Sequence, residues 1–233
     1  MSDANLYLPR STYRLQFNSA FTFDDARALV PYLAELGISH LYASPYLKAR
    51  EGSTHGYDIT DHNAFNPEIG NEESFRALSD TLKAHGLGQI LDFVPNHMGI
   101  GRADNAWWLD VLEWGEESIY AEFFDIDWSS AKPELRGKVL LPVLGNHYGN
   151  TLEGGELKLI FNAEDGSFSV WYYEHRFPVT PGQYSRILRP VAERLNREER
   201  LSDDEGEALE VVVSGFRDLT RRSRSSRPRS RSG

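Results

Sequence analysis

The sequence predicts an α/β fold made of repeated strand–helix–strand units. Three short segments, residues 12–17, 38–44 and 89–94, have the alternating or continuous apolar pattern of strands. The two segments between them repeat apolar residues at helical spacing and end at Gly37 and Gly86. Because strands joined through helices lie parallel with right-handed crossovers, this order predicts a parallel sheet.

Polar caps mark where both helices begin. Thr22 precedes the first helix and Asp25 follows three residues later, which is the spacing of a capping box. Asn71 precedes the second helix, whose first turn contains Glu72 and Glu73. The helix starts are therefore predicted independently of the apolar pattern.

A Rossmann-type nucleotide-binding fold begins with the same order of elements. Its glycine-rich fingerprint would lie directly after the first strand. This sequence has Asn18, Ser19, Ala20 and Phe21 at that place. The turn therefore disfavours dinucleotide binding, and we expect no cofactor.

The pattern changes after Gly99, and we expect a second, β-rich lobe there. Its elements are predicted to be an aromatic helix, three strands and a charged helical stretch. They cover residues 105–114, 139–144, 157–162, 168–174 and 193–213. The sequence thus predicts a first domain at 1–99, and a lobe with its following helical segment at 100–215.

The last residues, 216–233, form an Arg/Ser-rich tail. From Thr220 onward there are six arginines and no acidic residue. This composition is typical of a disordered end or of a frame-shifted reading, and a nucleic-acid-binding arm is the alternative.

The charge balance narrows the range of partners. The net charge is −10 although the tail is basic, so the body is strongly acidic. Such a surface repels nucleic acid and anionic lipid, whereas a neutral glucan is compatible with it. There is no cysteine, which excludes disulfides and thiolate catalysis. No apolar run approaches the ~18–20 residues that a membrane span needs, so we expect a cytoplasmic protein without a membrane partner.

A first cluster of polar residues follows the second predicted strand, in a loop expected at residues 45–70. It contains His55, Gly56, Tyr57 and Asp58. The glycine permits a tight turn that presents its neighbours; tyrosine can stack on a pyranose ring, and histidine and aspartate can bind its hydroxyls. An ordinary polar loop is the competing interpretation.

A second cluster ends the third predicted strand and contains Asp92, Asn96 and His97. A carboxylate in an apolar strand is costly to bury unless it is paired, so Asp92 is expected to have a partner. In a (β/α)8 barrel, both clusters would lie on the catalytic face, at the carboxyl ends of the strands. We therefore expect the two clusters to flank one sugar pocket.

Metal binding is disfavoured. His55, Asp58, Asp61 and His62 have the composition of a metal site but match no zinc spacing. Asn96 alone offers a single amide oxygen to calcium, which does not make a site. We expect no metal.

The two clusters together resemble the signature of the α-amylase superfamily, glycoside hydrolase family 13. Longer segments are similar to its maltooligosyltrehalose synthase branch, from about residue 9 to 188. These segments are STYRLQF, ISHLYASPYLKAR, GSTHGYDITDHNAFNPEIG, GQILDFVPNHMGI, FFDIDW, LRGKVLLPVLG and YYEHRFPV. The resemblance implies a partial (β/α)8 TIM barrel, comprising its first three strands, with a β-rich domain inserted after strand three.

The resemblance also implies an activity. This family is an isomerase that acts on maltooligosaccharides and converts the α-1,4 bond at the reducing end into an α,α-1,1 bond, as in trehalose biosynthesis. The implied mechanism is retaining, with a carboxylate nucleophile and a carboxylic acid roughly 5–5.5 Å apart. Tyr57 would stack on the sugar, and His55 and His97 would bind its hydroxyls. Asp58 would pair with an arginine from a later strand, while Asp92 and Asn96 would shape the strand-three loop.

The family's catalytic carboxylates follow later strands, and no matching motif occurs in this sequence. We therefore expect no catalytic residue in this chain and no activity from it alone. Two alternatives remain open: another α-glucan hydrolase or transglycosidase, and a glucan-binding module without catalysis. The sequence does not predict an oligomeric state.

Overall fold

The computed structural model describes residues 8–198 and 200–225, of which 217–225 are described by their backbone alone. The chain divides into two compact units, Met1–Ala106 and Trp107–Gly233. This division falls a few residues beyond Gly99, where the sequence changes character. The Asn105 amide donates to the carbonyl of Gly99 at 2.9 Å, which ties the intervening segment to the first unit.

The first unit contains a parallel sheet. In chain order its elements are β1 (Thr12–Leu15), α1 (Phe23–Glu35), β2 (His40–Ala43), β3 (Leu47–Ala49), β4 (Ile59–Phe65), α2 (Glu72–Ala84) and β5 (Gly88–Leu91). The sheet order is β1-β2-β5, and both pairings are parallel. Leu15, Ala43 and Leu91 lie side by side in its register. The α/β class and the parallel order predicted from the sequence are confirmed.

Both predicted helix starts are confirmed. The Thr22 hydroxyl accepts from the backbone of Asp25, whose carboxylate accepts from the backbone of Thr22. Asn71 and Ser74 form the same reciprocal arrangement at α2. Each box satisfies two backbone N–H groups that the first helical turn leaves without a partner.

One face of the sheet packs against α1 and α2. Leu15, Leu41 and Ala43 contribute to this core and are buried. Aromatic rings fill the end nearest the first turn of α1, where Phe23 is fully buried with its ring centroid 4.8 Å from that of Tyr46. Burial of this apolar surface is the main force that holds the strands and helices together.

The predicted loop at 45–70 contains a small antiparallel sheet that the sequence analysis missed. Strands β3 and β4 pair with register shifts on both sides of Lys48. The polar residues of β4 alternate poorly with apolar ones, so the strand period is weak in the sequence.

From Ala106 onward the elements are α3 (Ala106–Trp114), α4 (Tyr148–Glu153), β6 (Leu157–Asn162), β7 (Ser167–Tyr172), β8 (His175–Pro178), α5 (Tyr184–Arg197) and α6 (Asp203–Ser225). Strands β6, β7 and β8 form an antiparallel sheet in chain order. The aromatic helix and the strand at 157–162 agree with the sequence prediction.

One strand prediction in this part was wrong, and another was confirmed with a different end. Residues 139–144 are not a strand, because Pro142 has no N–H to donate to a ladder. The strand predicted at 168–174 ends at Tyr172. Tyr173 follows in the left-handed region with φ 48°, and the chain turns into β8, which was not predicted.

The charged stretch at 193–213 is two helices rather than one. A new start lies between them, where the Ser202 backbone and hydroxyl donate to the Glu205 carboxylate. The predicted tail begins within α6, whose helical backbone continues to Ser225. Arginine is a good helix former, and no proline occurs between Asp203 and Pro228. The remaining residues, 226–233, lie outside the described residues.

Among the helices that the structure describes, none is long and apolar enough to cross a membrane.

Candidate functional site

The candidate site lies at the carboxyl ends of the parallel strands in the first unit. The loop of residues 53–58 follows β2 and β3, and the turn of residues 92–97 follows β5. Since parallel strands end at one edge of their sheet, this topology brings the two segments to the same side.

The first segment is held in a tight turn by its own hydrogen bonds. The Ser53 hydroxyl donates to Asp58 Oδ1 at 2.5 Å and accepts from the backbone of Gly56 at 3.1 Å. Gly56 has φ +75°, and a Cβ there would lie 3.0 Å from the carbonyl oxygen of Pro45. The position therefore requires glycine, both for its backbone conformation and for its space.

His55 and Tyr57 are presented side by side by this turn. The Tyr57 backbone N–H donates to His55 Nδ1 at 3.0 Å, so a neutral His55 carries its proton on Nε2. His55 Nδ1 is also 3.9 Å from Asp58, but a nitrogen that accepts a hydrogen bond carries no charge to pair with a carboxylate. Asp58 is therefore partnered by Ser53. The arginine expected for Asp58 is not found beside it among the described residues.

Asp92 is the centre of the second segment. Its Oδ2 accepts from the Tyr57 hydroxyl at 2.5 Å, from Tyr42 at 3.2 Å and from Arg14 at 3.3 Å. The partner expected for a carboxylate in this strand is thus present. The arginine comes from β1 and was not among the site residues predicted from the sequence.

Arg14 contacts every other member of this group. Its second guanidinium nitrogen donates to the Tyr57 hydroxyl at 2.7 Å, and its central carbon lies 4.7 Å above the Tyr42 ring. One signal for Arg14 was available in the sequence: a charged residue within an alternating strand must point away from the apolar face. The same alternation places Tyr42 between the core residues Leu41 and Ala43.

These contacts set the protonation of the group. The hydrogen bond from Tyr57 is the main cause that lowers the pKa of Asp92, with smaller contributions from Arg14 and Tyr42. The same hydrogen bond is the main cause that raises the pKa of Tyr57. At neutral pH Asp92 is therefore ionised and Tyr57 carries its proton, which it donates to Asp92.

The two segments are joined through the backbone. His97 Nε2 donates to the carbonyl of Tyr57 at 3.1 Å, and His62 Nε2 donates to the carbonyl of Val94 at 3.1 Å. The Gly99 N–H donates to the carbonyl of Ile59 at 2.7 Å. A Cβ on Gly99 would lie 2.9 Å from the carbonyl oxygen of Asp58, so the contact depends on glycine.

The structure therefore brings His55, Tyr57, Asp58, Asp92 and His97 to one surface. Asn96 lies in the same turn with its side chain exposed to solvent. His55 is half exposed, at 50% of its side-chain surface. Within the described part of the chain, no three His, Asp or Glu side chains are grouped so that they could hold a metal ion.

Comparison with known proteins gives a consistent relationship. The sequence model of the alpha amylase catalytic domain matches residues 27–156, more than half of the chain. A putative maltooligosyl trehalose synthase of Mycobacterium tuberculosis is 49% identical over 142 residues, which are 58% of this chain and 18% of that protein.

Solved structures show the same relationship. Maltooligosyltrehalose synthase from Arthrobacter ramosus is 42% identical, with a TM-score of 0.63 over 74% of this chain and 21% of that one. A hypothetical maltooligosyl trehalose synthase from Sulfolobus tokodaii is 37% identical, with a TM-score of 0.63 over 81% of this chain and 24% of that one. The chain thus spans about a fifth to a quarter of the length of these relatives.

Proposed function

Since the chain belongs to the α-amylase catalytic-domain family, we propose that it supplies the first three strands of a (β/α)8 catalytic barrel. Strands β1, β2 and β5 would be barrel strands one to three, with α1 and α2 as their crossover helices. Residues 100–215 would be the lobe inserted after strand three. The sheet order supports this assignment, because the three parallel strands lie side by side in the order in which they occur along the chain.

The whole enzyme is proposed to be a maltooligosyltrehalose synthase. It would be an isomerase that turns the reducing-end α-1,4 bond of a maltooligosaccharide into an α,α-1,1 bond. The identity to proteins of that name, at 42% and 49%, supports this activity above that of other α-glucan enzymes.

Within this enzyme, the surface around Tyr57 would bind the terminal glucose. The Tyr57 ring would stack on the pyranose, and His55 and His97 would bind its hydroxyls. Asp58, Asp92 and Asn96 would fix the shape of the pocket. The observation that supports this pocket most directly is the hydrogen bond from His97 to the backbone of Tyr57, because it joins the two polar clusters.

This chain alone is proposed to be inactive. A retaining glycosidase needs a nucleophile and an acid roughly 5–5.5 Å apart, on either side of the scissile bond. Asp92 Oδ2 already accepts three hydrogen bonds, and Asp58 Oδ1 is bonded to Ser53 within its own loop. Both carboxylates therefore suit positioning better than attack on an anomeric carbon.

The direct test is to incubate the purified chain with maltopentaose and to measure reducing ends and released glucose. We expect no change in either. Loss of reducing ends without released glucose would contradict the inactivity and support the isomerase chemistry. Released glucose would indicate a hydrolase instead.

A chimera tests the activity itself. Residues 9–188 of this chain would replace the aligned segment of the Arthrobacter ramosus enzyme. We expect the chimera to consume reducing ends of maltopentaose, and Tyr57→Ala to lower that rate about a hundredfold, as for loss of a substrate-positioning contact. Tyr32→Ala is the matched control, because Tyr32 is 56% exposed on α1. A folded chimera that binds maltopentaose without turnover would favour a glucan-binding module.

A further inference from the structure

The role of Arg14 follows from the geometry around the Tyr57 hydroxyl. Arg14 lies on β1 directly beside Tyr42 on β2. The next residue, Leu15, is buried in the core, so Arg14 points to the opposite face of the sheet. The central carbon of its guanidinium lies over the Tyr42 ring, 4.7 Å from the centroid, which is within the range of a cation–π contact.

The Tyr57 hydroxyl is committed within this group. It has one proton, which it donates to Asp92, and it accepts a hydrogen bond from Arg14 at 2.7 Å. A phenol hydroxyl has no second proton to donate. Tyr57 can therefore not donate a hydrogen bond to a ligand while this arrangement persists, and its ring face is what remains to be offered.

We infer that Arg14 is a positioning residue that fixes the ring of Tyr57 for stacking on a neutral sugar. It does so with two separate N–H donors, one to the Tyr57 hydroxyl and one to Asp92. The positive charge of Arg14 also balances the negative charge of Asp92. The group beneath an uncharged sugar therefore has no net charge. The inference rests on the proposed function for its ligand, but the positioning of Tyr57 can be measured without a sugar.

Lysine is not an adequate replacement at this position. An ammonium is a compact point charge, whereas the two donors of Arg14 diverge from a rigid plane toward two acceptors. Arg14→Lys retains the charge near Asp92 but loses this fork. If Arg14 only neutralised the charge of Asp92, lysine would serve equally well at this position. Arg14→Lys therefore distinguishes a positioning role from charge balance.

The sugar-free experiment places 3-fluorotyrosine at position 57 of the full chain and follows its fluorine resonance against pH. Arg14 lowers the pKa of Tyr57 by its hydrogen bond and charge, so we expect Arg14→Gln to raise that pKa further. We also expect the resonance to shift or split in both Arg14→Gln and Arg14→Lys, because the ring loses one tether. Arg27→Gln, which removes an exposed pair with Asp24 on α1, is the matched control and should change neither. An unchanged resonance and pKa in Arg14→Gln would overturn the inference.

The sugar experiment measures the dissociation constant for maltotriose by titration of the same chains. We expect Arg14→Gln and Tyr57→Phe each to weaken binding about tenfold, equivalent to about 1.4 kcal/mol. Because both changes remove the same tether, the double variant should be no weaker than either single one. Additive losses would show that Arg14 acts apart from Tyr57 and would overturn the inference.

The fluorine experiment and the sugar experiment test the two proposals separately. If the unaltered chain does not bind maltotriose, the proposed function fails, while the fluorine result still decides whether Arg14 positions Tyr57. If the chain binds maltotriose and Arg14→Gln binds equally well, the role of Arg14 is refuted and the proposed function stands. Unfolding midpoints of all variants, compared with Arg27→Gln, show whether a loss of binding reflects a loss of folding.

Discussion

The two faces of the parallel sheet are built on different principles. The face toward α1 and α2 carries Leu15, Leu41 and Ala43 in a continuous apolar core. The opposite face carries Arg14 and Tyr42, which alternate with those residues along the same strands. Apolar contact organises the first face, and hydrogen bonds around Asp92 organise the second.

The difference teaches that one strand can serve stability and chemistry through alternate residues. Burial of apolar area is roughly additive and tolerant of small shifts, whereas hydrogen bonds depend on distance and angle. The core face therefore fixes the strands, and the other face uses that fixed frame to place polar groups. If this division is correct, substitutions on the two faces should fail in different ways.

The largest effect is expected on the core face. Phe23→Ala removes a fully buried ring that contacts the rings of Phe17, Tyr46, Phe65 and Phe75. We expect a loss of about 3–5 kcal/mol in the free energy of unfolding, measured by urea denaturation.

The control for this change is Tyr32→Ala on the same helix. Tyr32 is an exposed side chain, so its removal should cost less than about 0.5 kcal/mol. Similar losses for the two variants would contradict the assignment of the core to this face.

A smaller effect is expected from Gly88→Ala on the opposite face. A Cβ at Gly88 would lie 2.3 Å from the ring of His40, its neighbour in the sheet register. Overpacking of this kind costs about 1–3 kcal/mol, which urea denaturation would resolve.

The double variant Gly88→Ala/His40→Ala tests the cause. If the clash is responsible, the double variant should be more stable than the sum of the two single losses predicts. Additive losses would mean that the cost of Gly88→Ala arises in the backbone. Either result shows whether close packing, in addition to hydrogen bonds, contributes to the stability of the polar face.

The smallest effect at neutral pH is expected from Asp92→Asn. The ion pair of Asp92 with Arg14 is partly exposed, so we expect a loss of about 1 kcal/mol or less. The folded-state pKa of Asp92 lies below its ordinary value, chiefly because Tyr57 donates to it. Its contribution to stability is therefore present above about pH 4 and is lost as the pH falls through the folded pKa.

The measurement is the unfolding free energy of both chains between pH 7 and pH 2. The gap between the unaltered chain and Asp92→Asn should close as the pH falls. A gap that stays constant would mean that Asp92 contributes through packing, and that the polar face is not organised by its charge.

The sequence predicted the first unit well because its signals are local. The caps at Thr22 and Asn71 and the glycines that end the helices act within one turn, so their effects can be inferred from spacing. Both polar clusters could be found because they lie in the segments that follow predicted strands. Arg14 was missed because its partners, Tyr57 and Asp92, are distant in sequence and meet it only in the folded sheet.

Predictions for the second unit were less accurate for physical reasons. Apolar composition predicted a strand at 139–144, although Pro142 prevents regular pairing there. The turn at Tyr173 uses a left-handed conformation without glycine or asparagine, so composition gave no indication of it. The start of α6 could have been predicted, since Ser202 and Glu205 have the spacing of a capping box.

The contact between His97 and residue 57 is made to a peptide carbonyl, which every amino acid supplies. An exchange of the side chain at position 57 would therefore alter the ring surface that is proposed to bind a sugar, while the hydrogen bond from His97 would remain. Side chains of the loop and of the turn can therefore be substituted one at a time, because a backbone carbonyl makes the contact between the two segments. Substitutions in this region are best directed at its side chains, with Gly56 and Gly99 left unchanged.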